Sequence, residues 1–236
     1  MKMINSCLAI IPARGGSKGV KNKNIKRLNG KPLIYYTIRV AKKAKCIDRV
    51  IVSTDSEEIK KIALKFGAEV SFLRPRNLST DKTPMYPVIR HALEFLEKKG
   101  ERFNIIVVLQ PTSPLRRAID IQQAIAKLIK TGADSIASVC LSEHSPFWMK
   151  VIKQGKIYPI IKSRQYSRRQ DLPKVYRLNG AIYITKRDVL KKQKRILGAN
   201  TQAFVMPVEN SIDINTGLEF KIAAITLRDG GCYLRG

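Results

Sequence analysis

The stretch LAIIPARGGSKGVKNKNI, residues 8–25, decides the predicted fold. It begins with four apolar residues, Leu8-Ala9-Ile10-Ile11, in which apolar and polar positions do not alternate, and Pro12 follows them. Such a run is typical of a strand that is buried on both faces of a parallel sheet. A segment that is rich in glycine and in cationic side chains comes next. The stretch therefore predicts a buried strand that opens into a glycine-rich turn.

The turn at residues 14–19 has the composition of an anion-binding loop. Its three glycines free the backbone, so that several N–H groups can point at one ligand, and such a nest binds phosphate. Arg14 can hold phosphate oxygens with two hydrogen bonds, and Lys18 can neutralise them as a point charge. A tight turn with a solvated basic rim has the same composition. The loop matches neither G-x-x-x-x-G-K-[ST] nor G-x-G-x-x-G.

The charge of the chain is its most unusual bulk property. The 236 residues are 44% hydrophobic, which suffices for one α/β core, but 45 Lys and Arg against 18 Asp and Glu give a net charge of +27. Such a field attracts nucleic acids, membrane surfaces and small polyanions. The lysines are spread along the chain and aromatic residues are only 7%, whereas nucleic-acid binders usually cluster both. Nucleic acid is therefore the less expected partner.

The four cysteines, at positions 7, 46, 140 and 232, form no C-x-x-C pair. With two histidines in the whole chain, no Cys/His zinc site is expected. Unpaired cysteines, together with an N-terminal apolar run that is too short for a secretory leader, predict a cytoplasmic protein. No apolar run approaches the length of a membrane span, so we expect no membrane partner.

Strand and helix patterns alternate after the first strand. Apolar strands are predicted at 49–54, 68–73, 105–109 and 135–140. Helices are predicted at 31–45, from the residue after Asp55 to Phe66, at 86–99 and at 119–130. Asp55 is the predicted N-cap of the second helix, with Glu58 completing a capping box. The alternation predicts an α/β fold, an open and mostly parallel sheet with helices on both faces, within a single domain spanning 1–236.

The alternation stops after residue 140. Residues 141–171 contain the one tryptophan, a predicted hairpin (151–153 and 156–158) and a basic run at 164–169. We interpret about 141–175 as an inserted subdomain. Strands at 181–184 and 203–206 and a helix from about 218 to 228 complete the prediction.

Three unusual loops follow predicted strands: residues 14–19, 74–84 and 110–116. Because ligands of open α/β sheets bind at the carboxyl ends of the strands, we expect these loops to meet. The segment 211–216 adds Asp213 and Asn215, which lie two residues apart on one face of an extended chain. Mg²⁺ prefers such oxygen ligands together with substrate phosphates. An Asx turn before the last helix explains the same two residues equally well.

Six of these stretches together resemble the CMP-sialic acid synthetases (acylneuraminate cytidylyltransferases). They are LAIIPARGGSKGVKNKNIKRLNGKPLIYYTI (8–38), VIVSTDSEEI (50–59), LRPRNLSTD (73–81), VVLQPTSPLR (107–116), RLNGAIYI (177–184) and SIDIN (211–215). The resemblance implies a Rossmann-like nucleotidyltransferase core and a homodimer built through the inserted region, which is then a dimerisation subdomain. It also implies a Mg²⁺-dependent reaction in which CTP and a nonulosonate sugar acid give a CMP-sugar and pyrophosphate.

The resemblance also implies roles for individual residues. The triphosphate is held by Arg14, Ser17 and Lys18, and the α-phosphate and nucleotide by Lys23 and Asn24. The cytidine is held by Arg74 and Thr83, and the sugar by Gln110, Arg169 and Tyr183. Arg177 and Asn179 have a positional or phosphate role beside them. Asp213 is the metal ligand and Asn215 a second candidate, and the predicted catalytic set is Arg14, Lys18, Lys23 and Asp213.

The chain departs from the family pattern at two places. Asn215 stands where sialic acid enzymes commonly have a second aspartate, which removes one negative charge from the metal site. Ile196 and Leu197 stand where some of these enzymes have aromatic residues against the acylamino group. Sialic acid is the expected substrate, and legionaminic, pseudaminic and deaminated nonulosonates are the alternatives. A basic nucleic-acid-binding α/β protein without catalysis is the alternative from another class.

Overall fold

The computed structural model describes residues 6–17, 19–161 and 168–229. Its strands are β1 (Cys7–Pro12), β2 (Arg27–Leu28), β3 (Lys31–Pro32), β4 (Arg49–Ser53), β5 (Ile105–Val108), β6 (Ser135–Leu141), β7 (Lys150–Lys153), β8 (Lys156–Pro159), β9 (Tyr176–Lys186) and β10 (Thr201–Val205). Its α-helices are α1 (Leu33–Lys43), α2 (Glu57–Lys65), α3 (Met85–Glu97), α4 (Ala118–Thr131), α5 (Arg187–Gln193) and α6 (Gly217–Asp229). Short 3₁₀ helices span Lys23–Ile25, Arg76–Leu78, Arg169–Asp171 and Val208–Asn210.

Six strands form the central sheet in the order β10-β6-β9-β5-β1-β4. Strand β1 is parallel to both β4 and β5, and β10 is parallel to β6, whereas β9 is antiparallel to both of its neighbours. The predicted α/β fold with a mostly parallel sheet is therefore confirmed. Strand β9 is much longer than the predicted 181–184, because its first half pairs with the end of β6 beyond a bulge between Ala137 and Val139.

Both faces of the sheet are covered by helices, as the uniform apolar character of β1 predicts. On one face, Ala9 and Ile11 of β1 belong to a buried cluster with residues of α1, α2 and α4. On the other face, Leu8 and Ile10 belong to a second cluster with residues of α3 and with Leu190 of α5. A third cluster joins α6 to α1 and the 110–116 loop. No helix within the described ranges is long and apolar enough to cross a membrane.

The strand predicted at residues 68–73 is wrong. This segment touches the edge strand β4 only at two isolated bridges, Ile51 with Glu69 and Thr54 with Leu73. Between them Phe72 turns into the second cluster and packs edge-on against His91 and at a tilt against Phe95. Glu69 and Leu73 pair with β4, whereas Phe72 packs against other side chains, so no continuous strand forms here.

The predicted N-cap of α2 is also wrong, by one residue. The Oγ of Ser56 accepts from the Ile59 N–H at 3.3 Å, since the helix begins at Glu57. Glu58 is then too early in the helix to close a capping box. Asp55 has a different partner: its Oδ1 accepts from the Gly15 N–H at 2.8 Å. The end of β4 is thereby attached to the glycine-rich loop after β1.

The predicted hairpin in the inserted region is present as β7 and β8. Its two-residue turn has Gln154 at φ 49° and Gly155 at φ 76°, the left-handed pair that a tight hairpin requires. Every residue of both strands is exposed. The hairpin pairs only with itself in the described part of the chain, and its role as a dimerisation subdomain stays a prediction.

Candidate active site

A cavity of about 490 Å³ lies at the carboxyl ends of β1 and β5. The three unusual loops meet there, as predicted, and the segment around Asp213 forms another wall. The predicted site residues that line the cavity are Arg14, Ser17, Lys23, Asn24, Arg74, Thr83, Gln110, Asp213 and Asn215. Residues from opposite ends of the sequence are thus brought into one site by the sheet topology.

Some of the predicted residues that the structure describes are not in that lining: Arg169, Tyr183, Arg177 and Asn179. Lys18 lies outside the described residues. Arg169 is exposed in the 3₁₀ helix Arg169–Asp171 of the inserted region. Tyr183 is partly buried on β9, where burial and then the Asp213 carboxylate raise the pKa of its phenol. Of the two residues named for the sugar pocket, Ile196 packs against the second apolar cluster, and neither it nor Leu197 lines the cavity.

The glycine-rich loop is held in place by side chains from outside it. The Gly15 N–H donates to Asp55, and the Asn24 amide donates to the Arg14 carbonyl at 2.9 Å. Asn24 is only 7% exposed, so its amide supports the loop backbone from the protein interior. The Arg14 guanidinium donates to the Gly16 carbonyl at 3.3 Å and forms an ion pair with Asp81. These contacts fix the Arg14 cation in the lining of the cavity.

Arg74 fastens the 74–84 loop to the end of β4. Its N–H donates to the Thr54 carbonyl at 2.7 Å, and its Nε donates to the Ser79 hydroxyl at 3.1 Å. The residue is 5% exposed, and burial lowers the pKa of its guanidinium while Asp55, 3.9 Å from Nη2, opposes that shift. Nη2 is buried without a hydrogen-bond partner. This nitrogen is a donor that a ligand in the cavity can use.

Lys23 and Asp213 form the other charged wall. Lys23 Nζ donates to the Ile214 carbonyl at 2.7 Å. Burial lowers the pKa of this ammonium, and the Asp213 carboxylate opposes that shift. The Asn215 amide donates to Asp213 Oδ2 at 3.0 Å, whereas Oδ1 is buried without a partner. Asn215 therefore orients the Asp213 carboxylate in this chain.

Two glycines are required because the backbone approaches site residues closely. A Cβ on Gly180, which has φ 70°, would lie 2.7 Å from the Gln110 side-chain oxygen and 3.6 Å from Asp213 Cγ. A Cβ on Gly19 would overlap the Asn215 carbonyl oxygen. Gly180 thus lets β9 approach the 110–116 loop closely, and Gly19 lets the glycine-rich loop approach the segment around Asp213.

Arg116 is a structural centre that the sequence reasoning missed. Its guanidinium is fully buried and donates to the Thr37 hydroxyl at 2.8 Å, to the Gln110 carbonyl at 3.4 Å and to the Ala181 carbonyl. Burial lowers its pKa to about 9, and Asp120 acts in the opposite direction. The residue ties α1, β9 and the Gln110 turn together. Its place in the VVLQPTSPLR motif was the only signal.

Asn179 holds the segment that leads to Asp213, and the positional or phosphate role toward a ligand stays a prediction. The residue is fully buried; its Oδ1 accepts from the Ser138 hydroxyl at 2.6 Å and its Nδ2 donates to the Ser211 hydroxyl at 2.8 Å. Arg177 adds a contact from Nη2 to the Ser211 carbonyl at 3.3 Å. Since Ser211 stands two residues before Asp213, these bonds fix the direction in which the Asp213 segment enters the cavity.

The fold defines the class of protein first. A solved CMP-2-keto-3-deoxy-manno-octonic acid synthetase in complex with CTP superposes with a TM-score of 0.72 at 17% identity. The match covers 95% of this chain and 99% of that one. The chain therefore has the Rossmann-like nucleotidyltransferase fold that was predicted.

Sequence comparison then defines the family. Residues 8–221 match the family model described as cytidylyltransferase, so the chain belongs to that family. It is 37% identical to the post-translational flagellin modification protein B of Campylobacter coli, over 96% of this chain and 97% of the relative. It is 38% identical to the CMP-N,N'-diacetyllegionaminic acid synthase of Campylobacter jejuni, over 91% and 92%.

The resemblance to acylneuraminate cytidylyltransferases is confirmed by a further relative. The N-acylneuraminate cytidylyltransferase of Streptococcus agalactiae serotype V is 34% identical over 90% of this chain, which matches 51% of that longer protein. The motifs quoted from the sequence and the family model therefore agree on the type of protein.

Proposed function

We propose that this cytidylyltransferase transfers CMP from CTP to a nonulosonate sugar acid and releases pyrophosphate. The observation that carries the proposal is the cavity in which Arg14, Lys23 and Arg74 face Asp213. Three cations in one cavity suit a triphosphate, and the relatives named for legionaminic and acylneuraminic acids match over nearly the whole of this chain.

The proposed reaction needs positioning and charge neutralisation more than side-chain chemistry. The anomeric hydroxyl oxygen attacks the α-phosphorus in line, the bond from that phosphorus to the bridging oxygen breaks, and pyrophosphate leaves. Arg14 and Lys23, with Lys18 on the same loop, stabilise the negative charge that develops on the phosphates. No nucleophilic side chain takes part. The hydroxyl oxygen loses its proton as its bond to phosphorus forms, and Asp213 is one of the candidate acceptors of that proton.

We also propose Mg²⁺ as the cofactor, with Asp213 as its protein ligand. The buried Oδ1 of Asp213 lacks a partner, which is the kind of atom that an ion or a water satisfies. No group of three or more His, Cys, Asp or Glu side chains in the described part of the chain is placed to hold a metal ion by itself. Mg²⁺ is usually held by one or two carboxylates together with substrate phosphates, so one carboxylate suffices for the proposal. When bound, the ion would neutralise phosphate charge.

Two sugars are the leading candidates for the substrate. Sialic acid is the substrate class that the motifs imply, and the relative that is 38% identical is named for N,N'-diacetyllegionaminic acid. Gln110 in the cavity and Tyr183 on β9 are the proposed sugar contacts, with Arg169 for the sugar carboxylate. The replacement Arg169→Ala tests whether Arg169 binds the sugar carboxylate. If it does, the KM for the sugar rises at least tenfold while the KM for CTP stays the same.

A homodimer through the inserted region and a location in the cytoplasm complete the proposal. Large apolar side chains are exposed along the hairpin, with Ile152 at 75% and Ile157 at 69%, which is the composition of a surface that a partner covers. Cys7 and Cys140 are free and buried, as expected in a reducing compartment.

The deciding experiment is release of pyrophosphate by the purified protein. It is incubated with CTP, Mg²⁺ and, separately, sialic, N,N'-diacetyllegionaminic and pseudaminic acids, and reactions without sugar serve as controls. We expect release with at least one acid, and the largest kcat/KM identifies the substrate. No release with any of them contradicts the proposal. Filter binding to nucleic acid over a salt series tests the other class, since a true binder loses affinity steeply with salt.

A further inference from the structure

Two acidic side chains already occupy donors of the glycine-rich loop. Asp55 accepts from the Gly15 N–H at 2.8 Å, and Asp81 forms an ion pair with the Arg14 guanidinium. A carboxylate offers an arginine the same arrangement of oxygens that a phosphate does. The contact between Asp81 and Arg14 therefore stands where anionic oxygens of a ligand are expected.

The two carboxylates differ in how they are held. Asp55 lies at the end of β4, directly before the cap of α2, and is flanked by the buried Arg74. Asp81 lies in the 74–84 loop, and its side chain is 33% exposed, as is 31% of the Arg14 side chain. Arg14 and Asp81 both line the cavity, whereas Asp55 does not. Asp55 is therefore a fixed support of the glycine-rich loop, whereas Asp81 lies in the lining of the cavity.

We propose that Asp81 sets the affinity of the site for CTP: it occupies Arg14 in the free protein and is displaced by the triphosphate. The inference rests on the proposed function, because it requires a ligand whose phosphates bind Arg14. The base of the 74–84 loop is fastened by Arg74 through Ser79, and displacement requires only that the partly exposed Asp81 side chain turns away from Arg14.

The expected size of the effect follows from the exposure of the pair. Partly exposed ion pairs contribute about 0.2–1 kcal/mol, so loss of the competing carboxylate should tighten binding by up to about fivefold. Asp81→Asn keeps the shape of the side chain and removes its charge. Because it also adds one positive charge to a chain of +27, a control for net charge is required.

The test is isothermal titration of CTP into the wild type, Asp81→Asn and the control Asp188→Asn. Asp188 is 70% exposed, pairs with Arg187 and lies in a groove apart from the CTP cavity, so this variant has the same net charge. We expect CTP to bind about two- to fivefold more tightly to Asp81→Asn than to Asp188→Asn. Equal or weaker binding by Asp81→Asn overturns the inference.

A double variant and a second ligand make the result specific. In an Arg14→Ala background, Asp81→Asn should give no gain over Asp188→Asn, and a gain that persists without Arg14 contradicts displacement from that residue. Inorganic pyrophosphate is titrated in parallel. A wild type that binds pyrophosphate and not CTP refutes the proposed function. In that case the ratio of the dissociation constants of Asp81→Asn and Asp188→Asn for pyrophosphate still decides whether Asp81 competes for Arg14.

Discussion

The carboxyl edge of the sheet and the inserted hairpin are built in opposite ways. At the edge, charged side chains are fixed by the protein itself: Lys23 by the Ile214 carbonyl, Arg74 by Ser79, and Asp213 by Asn215. In the hairpin every residue of both strands is exposed, and apolar side chains face outward. One chain therefore prepares the charged side of the cavity by itself. The hairpin has no such internal support in the described part of the chain, and the proposed dimer would cover its apolar side chains.

The largest expected effect is that of removing a cation from the prepared edge. Lys23→Met should lower kcat/KM by about 10²–10³-fold, because a preorganised charge at the phosphates is lost. The control is Lys153→Met in the hairpin, which removes the same charge from an exposed position and should retain nearly full activity. Steady-state release of pyrophosphate measures both. Equal losses in the two variants would show that overall charge, and not the site, sets the rate.

The next effect compares two glycines that share a left-handed conformation. Gly180→Ala brings a methyl group against Gln110, so kcat/KM should fall roughly tenfold to 10²-fold as the site is displaced. Gly155→Ala in the hairpin turn, at φ 76°, has nothing within 4 Å and incurs only the backbone cost of about 1–2 kcal/mol. Activity is compared with thermal unfolding. If both variants lose activity in proportion to stability, the contact at Gly180 has no separate role.

A smaller effect is expected at the hairpin surface. Replacing Ile152 and Ile157 together by Lys should weaken the proposed dimer by about tenfold or more, since exposed apolar residues at an interface centre carry much of its affinity. Light scattering after gel filtration over a concentration series measures this, and circular dichroism confirms folding. Replacing Leu64 and Leu218, exposed on α2 and α6, is the control. A wild type that is monomeric at all concentrations contradicts the dimer.

The smallest effect concerns the pH dependence at Lys23. Burial lowers the pKa of this ammonium, so the charge that the phosphates require is lost at a lower pH than for an exposed lysine. Activity should therefore decline on the alkaline side, and Lys23→Arg should move that decline to higher pH, because a guanidinium stays charged. Profiles of kcat/KM against pH decide it. An unchanged alkaline limb would mean that another group titrates there.

Much of the edge was predictable because its signals are local. The uninterrupted apolar run of β1 predicted a strand buried on both faces, and the alternation that follows predicted where loops converge. The cap of α2 was not predictable, since Asp55 and Ser56 are both good N-caps and only the start of the helix distinguishes them. Arg116 was missed because arginine is normally a surface residue, and its burial depends on three carbonyl and hydroxyl acceptors, two of which lie in distant segments of the chain.

The direction of β9 could not be predicted for a different reason. Alternation of apolar residues is the same whichever way a strand runs, so the pattern at 181–184 carries no information on orientation. The length of β9 depends on pairing with β6 across a bulge, which is a long-range contact. Both facts arise from tertiary structure.

That reversed strand decides where the inserted segment is anchored. Because β9 runs against β6, and Leu141 pairs with Tyr176, the chain leaves the sheet and returns to it at one edge, where the parallel strands have their carboxyl ends. Both ends of the insertion are thus fixed by a single pair of neighbouring strands. The length and composition of the residues between them can therefore change without altering the pairing that builds the central sheet.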